Sequence, residues 1–195
     1  MRKITQYKFL RSGMKSNSGN VTWKKNKWVK VKGELEMCVN GLHSSVNPYD
    51  AFSYVQGEIL ALVECRGKHL EEDNKFCWKE QRVIKTCRWT KKDSVRLAIY
   101  SAEQVISIYE KKYSDDNRPR KAIQAAKKWL KNPTVKNRHA AAAAAYAAAA
   151  YAAAAAYAAA YAVYAAYAAA VYAARKILIG KIQKYFKRIV KEKGL

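Results

Sequence analysis

Apolar and polar residues alternate in short runs through the first ninety or so positions, the period of a half-buried strand, and then recur every three to four residues, the period of a helix. Tyr7-Lys-Phe-Leu10 predicts a short strand, and residues 14–20, rich in serine, asparagine and glycine, predict a loop. Val21-Thr-Trp23 and Trp28-Val-Lys-Val31 alternate around Lys24-Lys-Asn-Lys27, the pattern of a hairpin. Glu34 to Val39 reads as another strand, closed by a tight turn at Asn40-Gly-Leu-His43. Asn47 and Pro48 open a short helix that runs to about Tyr54. Ile59 to Cys65 is apolar on both faces and predicts a central strand that Gly67 ends, followed by a polar loop over Lys68 to Asn74 and a further strand over Arg82 to Trp89.

Helical periodicity takes over at Thr90-Lys-Lys-Asp93, which has the form of a capping box and leads into Val95, Leu97, Ala98, Ala102, Val105, Ile106 and Tyr109. Tyr113 to Arg120 interrupts it. The next helix carries Ala122, Ile123, Ala126, Trp129 and Leu130, with Asp116 or Asn117 as its cap. From Ala140 to Ala174 the chain uses only alanine, tyrosine and two valines. Alanine is the best helix former, and with Thr134 as N-cap and no breaker before Gly180 the tract predicts one continuous rod, on the order of 50 Å long at about 1.5 Å per residue. The final segment gathers Ile177, Leu178, Ile182, Tyr185, Phe186, Ile189 and Val190 on one arc and lysines and Arg188 opposite, a basic amphipathic helix expected to dock with its basic face outward. The fold class is α+β, a small, mainly antiparallel sheet backed by helices over 1–112 and a helical region over 113–195.

Charge changes this picture from a fold to a kind of partner. The formal net charge is +23, no acidic residue precedes Glu34, and after Glu110 only Asp115, Asp116 and Glu192 are acidic. Self-repulsion of this size opposes compaction and is tolerated most naturally against a polyanion, so the expected partner is nucleic acid or a nucleoprotein complex. Trp23, Lys24, Lys25, Lys27, Trp28 and Lys30 place aromatic rings among ammonium groups, suited to bases and phosphates, although the tryptophans could equally cap the small core. Arg118 and Arg120 sit in the first turn of a helix, against its dipole, and therefore call for an anionic neighbour, either Asp115 or Asp116 or a ligand phosphate. Lys184, Lys187 and Arg188 complete the candidate nucleic-acid contacts.

The tyrosines add a second candidate surface. Tyr146, Tyr157, Tyr161, Tyr164, Tyr167 and Tyr172 share an arc of about 140° on the rod, with Tyr151 off it. Such a stripe packs against the protein's own helices, a second copy in a homo-oligomer, or a target. A membrane span is not expected, because alanine gains little in hydrocarbon and tyrosine favours interfaces. Cys38, Cys65, Cys77 and Cys87 have no CxxC spacing and complete no metal-ligand pattern with His43, His69 or His139, so no metal or cofactor is expected. Polar residues follow Met1-Arg-Lys instead of a signal sequence, which with reduced cysteines points to the cytoplasm, the host cytoplasm for a phage-encoded chain.

No Walker loop, GxSxG, HExxH or GxGxxG occurs. His43 is the one conceivable acid/base group, weighed against a hydrogen-bonded structural histidine, and the chain reads as a binder instead of an enzyme.

The segment Tyr109-Glu-Lys-Lys-Tyr-Ser-Asp-Asp-Asn-Arg-Pro-Arg-Lys-Ala-Ile-Gln-Ala-Ala-Lys-Lys-Trp129-Leu130, with the alanine-rich tract to about residue 174, resembles immunity proteins of bacterial polymorphic toxin systems. Tyr7-Lys-Phe9, Cys38, Gly41-Leu-His43 and Leu62-Val-Glu64, within about residues 5–100, are similar to uncharacterised phage and bacterial proteins. The resemblance implies a non-enzymatic inhibitor, an immunity or anti-defence protein such as an anti-CRISPR, that neutralises a nuclease or nucleoprotein complex by stoichiometric binding. Nuclease inhibitors often imitate nucleic acid with acidic surfaces, and this chain departs from that pattern. A basic inhibitor would contact the nucleic-acid component of its target. The alternatives are a direct nucleic-acid-binding protein and a self-assembling helical protein.

Overall fold

A computed structural model describes residues 4–18, 21–55, 57–104, 106–142 and 168–195. The predicted rod, with the stripe from Tyr146 to Tyr167, falls outside the described residues, apart from helical backbone at 135–142 and from residue 168 on. Thr134 does cap that helix, its Oγ1 accepting the Asn137 N–H at 3.2 Å.

The framework is one long hairpin. Strands β1 (Ile4–Leu10), β2 (Trp28–Lys30), β3 (Leu42–Ser44), β4 (Ile59–Glu72) and β5 (Lys75–Arg88) form an antiparallel sheet, with β4 and β5 paired along their length. Gly67, at φ +84°, does not end β4 as the sequence suggested. It lies in a register shift between Arg66 and His69, where a positive φ lets the strand bulge and continue. The expected polar loop over Lys68 to Asn74 is therefore mostly strand, and the reversal needs only Asp73-Asn74, with Asp73 at φ +50°, as a tight two-residue turn requires.

β4 is central, as its two-sided apolar pattern predicted, and β1 pairs along its outer edge, Ile4 opposite Cys65 and Leu10 opposite Ile59. The free edge of β5 receives β2 opposite Glu80 to Arg82 and β3 opposite Phe76 to Trp78. Ser45, just past β3, then exchanges backbone hydrogen bonds with Tyr7 of β1 at 2.8 and 2.9 Å. The sheet thus curls until its two edges meet.

Two sequence expectations fail in this region, for one reason. Val21 to Trp23 does not form a hairpin with Trp28 to Val31. Trp23 instead turns inward, 2% exposed, its backbone N–H on Met14 O at 2.8 Å and its indole N–H on Ser16 Oγ at 2.9 Å. Glu34 to Val39 is a compact turn, held by Asn40 Nδ2 donating to Lys32 O and Glu34 O, and the strand forms three residues later at Leu42–Ser44. In both places tertiary burial overrides the local alternation: Trp23 fills the core, and Leu42 and Ser44 fit inside the curled sheet.

That interior holds Leu10, Trp23, Leu42, Ala61, Val63, Cys65, Trp78 and Val83, and a polar chain runs through it. Lys8 Nζ donates to Gln81 Oε1 at 3.0 Å, Gln81 Nε2 to Ser44 Oγ at 2.7 Å, and Ser44 Oγ to Gln6 Oε1 at 2.5 Å, where Trp78 Nε1 also donates at 2.9 Å. Gln6, Ser44 and Gln81 are buried, and no buried side-chain nitrogen or oxygen among the described residues lacks a partner.

The opposite face of β1 carries Phe9 into an aromatic cluster with Trp89 and with Phe52 of α1 (Pro48–Tyr54), which starts at Asn47 as the sequence indicated. Phe186 of the C-terminal helix closes this cluster, fully buried and stacked on Trp89 at 4.5 Å, with Ile189 and Val190 buried beside it in sequence. This is α5 (Ala168–Glu192), and its residues from Gln183 onward join residues up to Thr90 in one compact unit. Residues Lys91–Ile182 form the other, so the division lies at Thr90 instead of residue 112. In that second unit α2 (Lys91–Glu103), α3 (Ile106–Lys112) and α4 (Arg118–Lys131) share a small core of Ile99, Ile106 and Ile123 with Val95 and Leu130; the single helix expected up to Tyr109 is two.

Replacing Gln6 with leucine keeps the volume but strands the Ser44 hydroxyl and the Trp78 indole N–H. Equilibrium unfolding should register a loss of about 2–4 kcal/mol. An unchanged midpoint would mean that the polar chain contributes nothing to the fold.

Candidate nucleic-acid interface and a basic cavity

Side-chain pairing separates cations that hold the fold together from those that do not. Across the β4–β5 hairpin opposite charges face each other in register: Arg82 Nη2 lies 2.7 Å from Glu64 and Arg66 Nη2 2.8 Å from Glu80. Lys30 joins the second pair, its Nζ 3.4 Å from Glu80. The half-buried Trp28 lies beneath this ladder, with the Arg66 guanidinium 3.8 Å and the Arg82 guanidinium 4.8 Å from its ring centroid. Neither Trp23, buried in the core, nor Trp28, covered by arginine, presents a bare ring to a base; of the two, Trp23 alone joins the core.

In the second unit, Arg118 donates from Nε to Asp116 Oδ1 at 2.7 Å, and Asp116 also accepts the Arg118 backbone N–H and the Tyr109 hydroxyl. These donors, Arg118 first, hold the Asp116 carboxyl well below the usual range. Arg120 grips Glu110, Nε to Oε1 at 2.8 Å. The reversed charge at the start of α4 is thus resolved internally, by Asp116 as foreseen for Arg118 and by Glu110 for Arg120. Neither arginine is left for a phosphate without breaking a pair.

Lys24, Lys25 and Lys27 differ. They are exposed on the turn after Trp23, and no ion pair engages their side chains among the described residues. Lys184, Lys187, Arg188 and Lys191 are likewise exposed, on one arc of α5 opposite the buried Phe186, Ile189 and Val190. Among them Arg188 has its guanidinium 4.8 Å from the Tyr185 ring centroid. Of the tyrosine stripe, Tyr172 lies on the α5 backbone and the others fall outside the described residues.

The first unit also contains a feature that sequence reading missed. A cavity of about 600 Å³ opens beside the curled edges of the sheet, with apolar walls that include Val21, Val29 and Leu42 and with Lys8, His43 and Lys75 among its lining. Period-two alternation placed Lys8 on the same strand face as Gln6 and Leu10, so its inward position was available in principle. Its ammonium rests 4.0 Å over the Trp23 ring, and burial pulls its pKa down to about 7, with Cys65 and Cys77 acting weakly in the other direction. Lys75 Nζ meets the exposed Cys38 sulfur at 3.0 Å and lies 4.9 Å from the Tyr54 ring centroid. The sulfur beside it raises its pKa, so Lys75 stays charged.

His43 Nε2 accepts the Cys38 backbone N–H at 3.0 Å, which fixes its proton on Nδ1. Burial, then the nearby charges of Lys8 and Lys75, lower its pKa to about 4. The sequence left His43 between a structural and an acid/base role, and this bond is a structural one. Gly41 makes the turn possible, since a Cβ there would overlap the Cys77 sulfur. Among the described residues no helix is long and apolar enough to cross a membrane, and no group of three His, Cys, Asp or Glu side chains could hold a metal ion.

Because the folded state holds His43 neutral, its stabilisation is present above about pH 6.5 and is lost as pH falls from there toward 4. Thermal melts should therefore drop by several degrees between about pH 6.5 and 5, before the carboxylates titrate, and His43→Gln should flatten that drop while retaining an acceptor for Cys38 N–H. An equal drop in both proteins would remove His43 from the explanation.

Comparison with curated proteins finds no match, and none is found with solved structures. Residues 4–92, which include all five strands and α1 and stop just past the Thr90 boundary, match a family described as a domain of unknown function (DUF7666), so this segment, without the part of α5 that joins it, is similar to that domain.

Proposed function

We propose that this chain binds nucleic acid or a nucleoprotein complex, and that it acts by stoichiometric binding, as an inhibitor of the immunity or anti-defence kind, anti-CRISPR proteins included. The observation that carries the reading is the sorting of cations: arginines at Arg66, Arg82, Arg118 and Arg120 are held by carboxylates, while α5 buries Phe186, Ile189 and Val190 and turns Lys184, Lys187, Arg188 and Lys191 outward with no ion pair among the described residues. Cations without a carboxylate partner among the described residues, on a helix already anchored by its apolar face, are pre-positioned for phosphates, at little ordering cost. The exposed lysines at 24, 25 and 27 extend the same chemistry. The inhibitory role rests on the resemblance to immunity proteins, and a cytoplasmic setting goes with it, supported by four free cysteines.

Affinity for a duplex or single-stranded probe should fall steeply with salt. Charge reversal at Lys184, Lys187, Arg188 and Lys191 together should lower the slope of log K against log salt by about 0.9 for each lost contact on duplex DNA, with the melting temperature little changed. Reversal at the ion-paired Arg66 and Arg82 should instead lower stability first. A slope unaffected by the α5 changes would leave only bulk charge and overturn the proposed interface.

A further inference from the structure

The cavity in the first unit has a charge composition that its fold does not explain. Lys8, Lys30 and Lys75 line it, and no carboxylate does. Lys30 has Glu80, but among the described residues Lys8 has the Gln81 amide and the Trp23 ring and no carboxylate, and Lys75 has the Cys38 sulfur with Glu72 at 3.9 Å. A largely buried ammonium without a counter-charge costs stability, and nothing in the hairpin's ion pairs offsets it. His43 adds a donor: its Nε2 accepts from Cys38, so its Nδ1 carries the proton, and with no acceptor among the described residues and no buried polar atom left unsatisfied it is open to solvent.

We propose that the cavity is a binding site for a small organic anion, an anionic head on an apolar body. Lys8 and Lys75 supply the positive field, His43 Nδ1–H a neutral donor, and Val21, Val29 and Leu42 the apolar wall. The volume, about 600 Å³, suits a ligand of small-molecule size, whereas a duplex would not enter it. Binding would place the missing counter-charge beside Lys8. The site is independent of the outward cations on α5 and stands or falls without them.

The groups that face Lys8 are the Cys65 and Cys77 thiols, Gln81, Trp23, His43 and Lys75, and burial holds both thiols above their ordinary pKa. Over about pH 6 to 8, therefore, the charge that changes in this group is that of Lys8. Anion binding should weaken as pH rises through that range.

Calorimetric titration of the full chain with 1-naphthoate and with the neutral 1-naphthamide tests the proposal. At about pH 6.5 the carboxylate should bind about tenfold more tightly than the amide, the effect of roughly one charge-assisted hydrogen bond, and the preference should shrink by about pH 8.5. Lys8→Met should reduce it to within about twofold, and Lys75→Met should reduce it several-fold. If Lys8→Met does not fold, the Lys75 variant and the pH comparison carry the test. Equal binding of acid and amide would overturn the proposal. So would a preference that survives both variants, or one that charge reversal at Lys184 and Lys187 abolishes equally well, which would trace it to bulk field.

Discussion

The first unit depends on one polar chain laid through an apolar interior. Lys8, Gln81, Ser44, Gln6 and Trp78 come from three strands that are distant in sequence, and each donates or accepts at 2.5 to 3.0 Å. An apolar core tolerates small slips of one strand past another, because methyl groups pack in many ways. A chain of hydrogen bonds does not. A shift of β3 by one residue would turn Ser44 away from Gln6 and Gln81 and deprive the Ser44 hydroxyl and the Gln81 Nε2 donor of their partners, so the network specifies register where β3, only three residues long, could not. The meeting of Ser45 with Tyr7, which joins the sheet's edges, follows from that register.

This constraint also decides what could be read in advance. β4 and α1 were legible because their signals are local: an apolar run for Ile59 to Cys65, and Asn47-Pro48 before a helix. β3 was not, since Leu42-His-Ser44 follows a glycine in a sequence that reads as a turn, and only the side-chain partners on β1 and β5 give it a reason to extend. Trp23 was misplaced as a hairpin residue for a related reason: Ser16 and Met14, which hold it, lie in a stretch with no periodicity. The basic cavity was missed because a lysine in an alternating strand is ordinarily taken as surface, and its inward position needs the curl of the sheet to be known.

The charges follow a different logic from the core. Cross-strand partners Glu64–Arg82 and Arg66–Glu80 could be inferred only once register was fixed, whereas the arginines at the start of α4 announced a need for acid from sequence alone. Acidic residues are few, and those at 64, 80, 110 and 116 are engaged by arginines. Among the described residues most lysines are left without one. Arg66, Arg82, Arg118 and Arg120 thus act as structural cement, the last two with a two-oxygen grip on their carboxylates, while Lys24, Lys25, Lys27 and, on α5, Lys184, Lys187, Arg188 and Lys191 face solvent.

The two segments of the first unit are separated by the whole of the second, and Phe186 must cross that distance to reach Phe9, Phe52 and Trp89. Its closure entropy is that of a very long loop, and contacts of such high sequence separation form late. During synthesis the strands and α1 emerge well before α5, so the aromatic face stays open to water while the helical unit is being made. The segment similar to the domain of unknown function is thus able to pair its strands early, yet it waits for a helix outside its own limits to cover its second face.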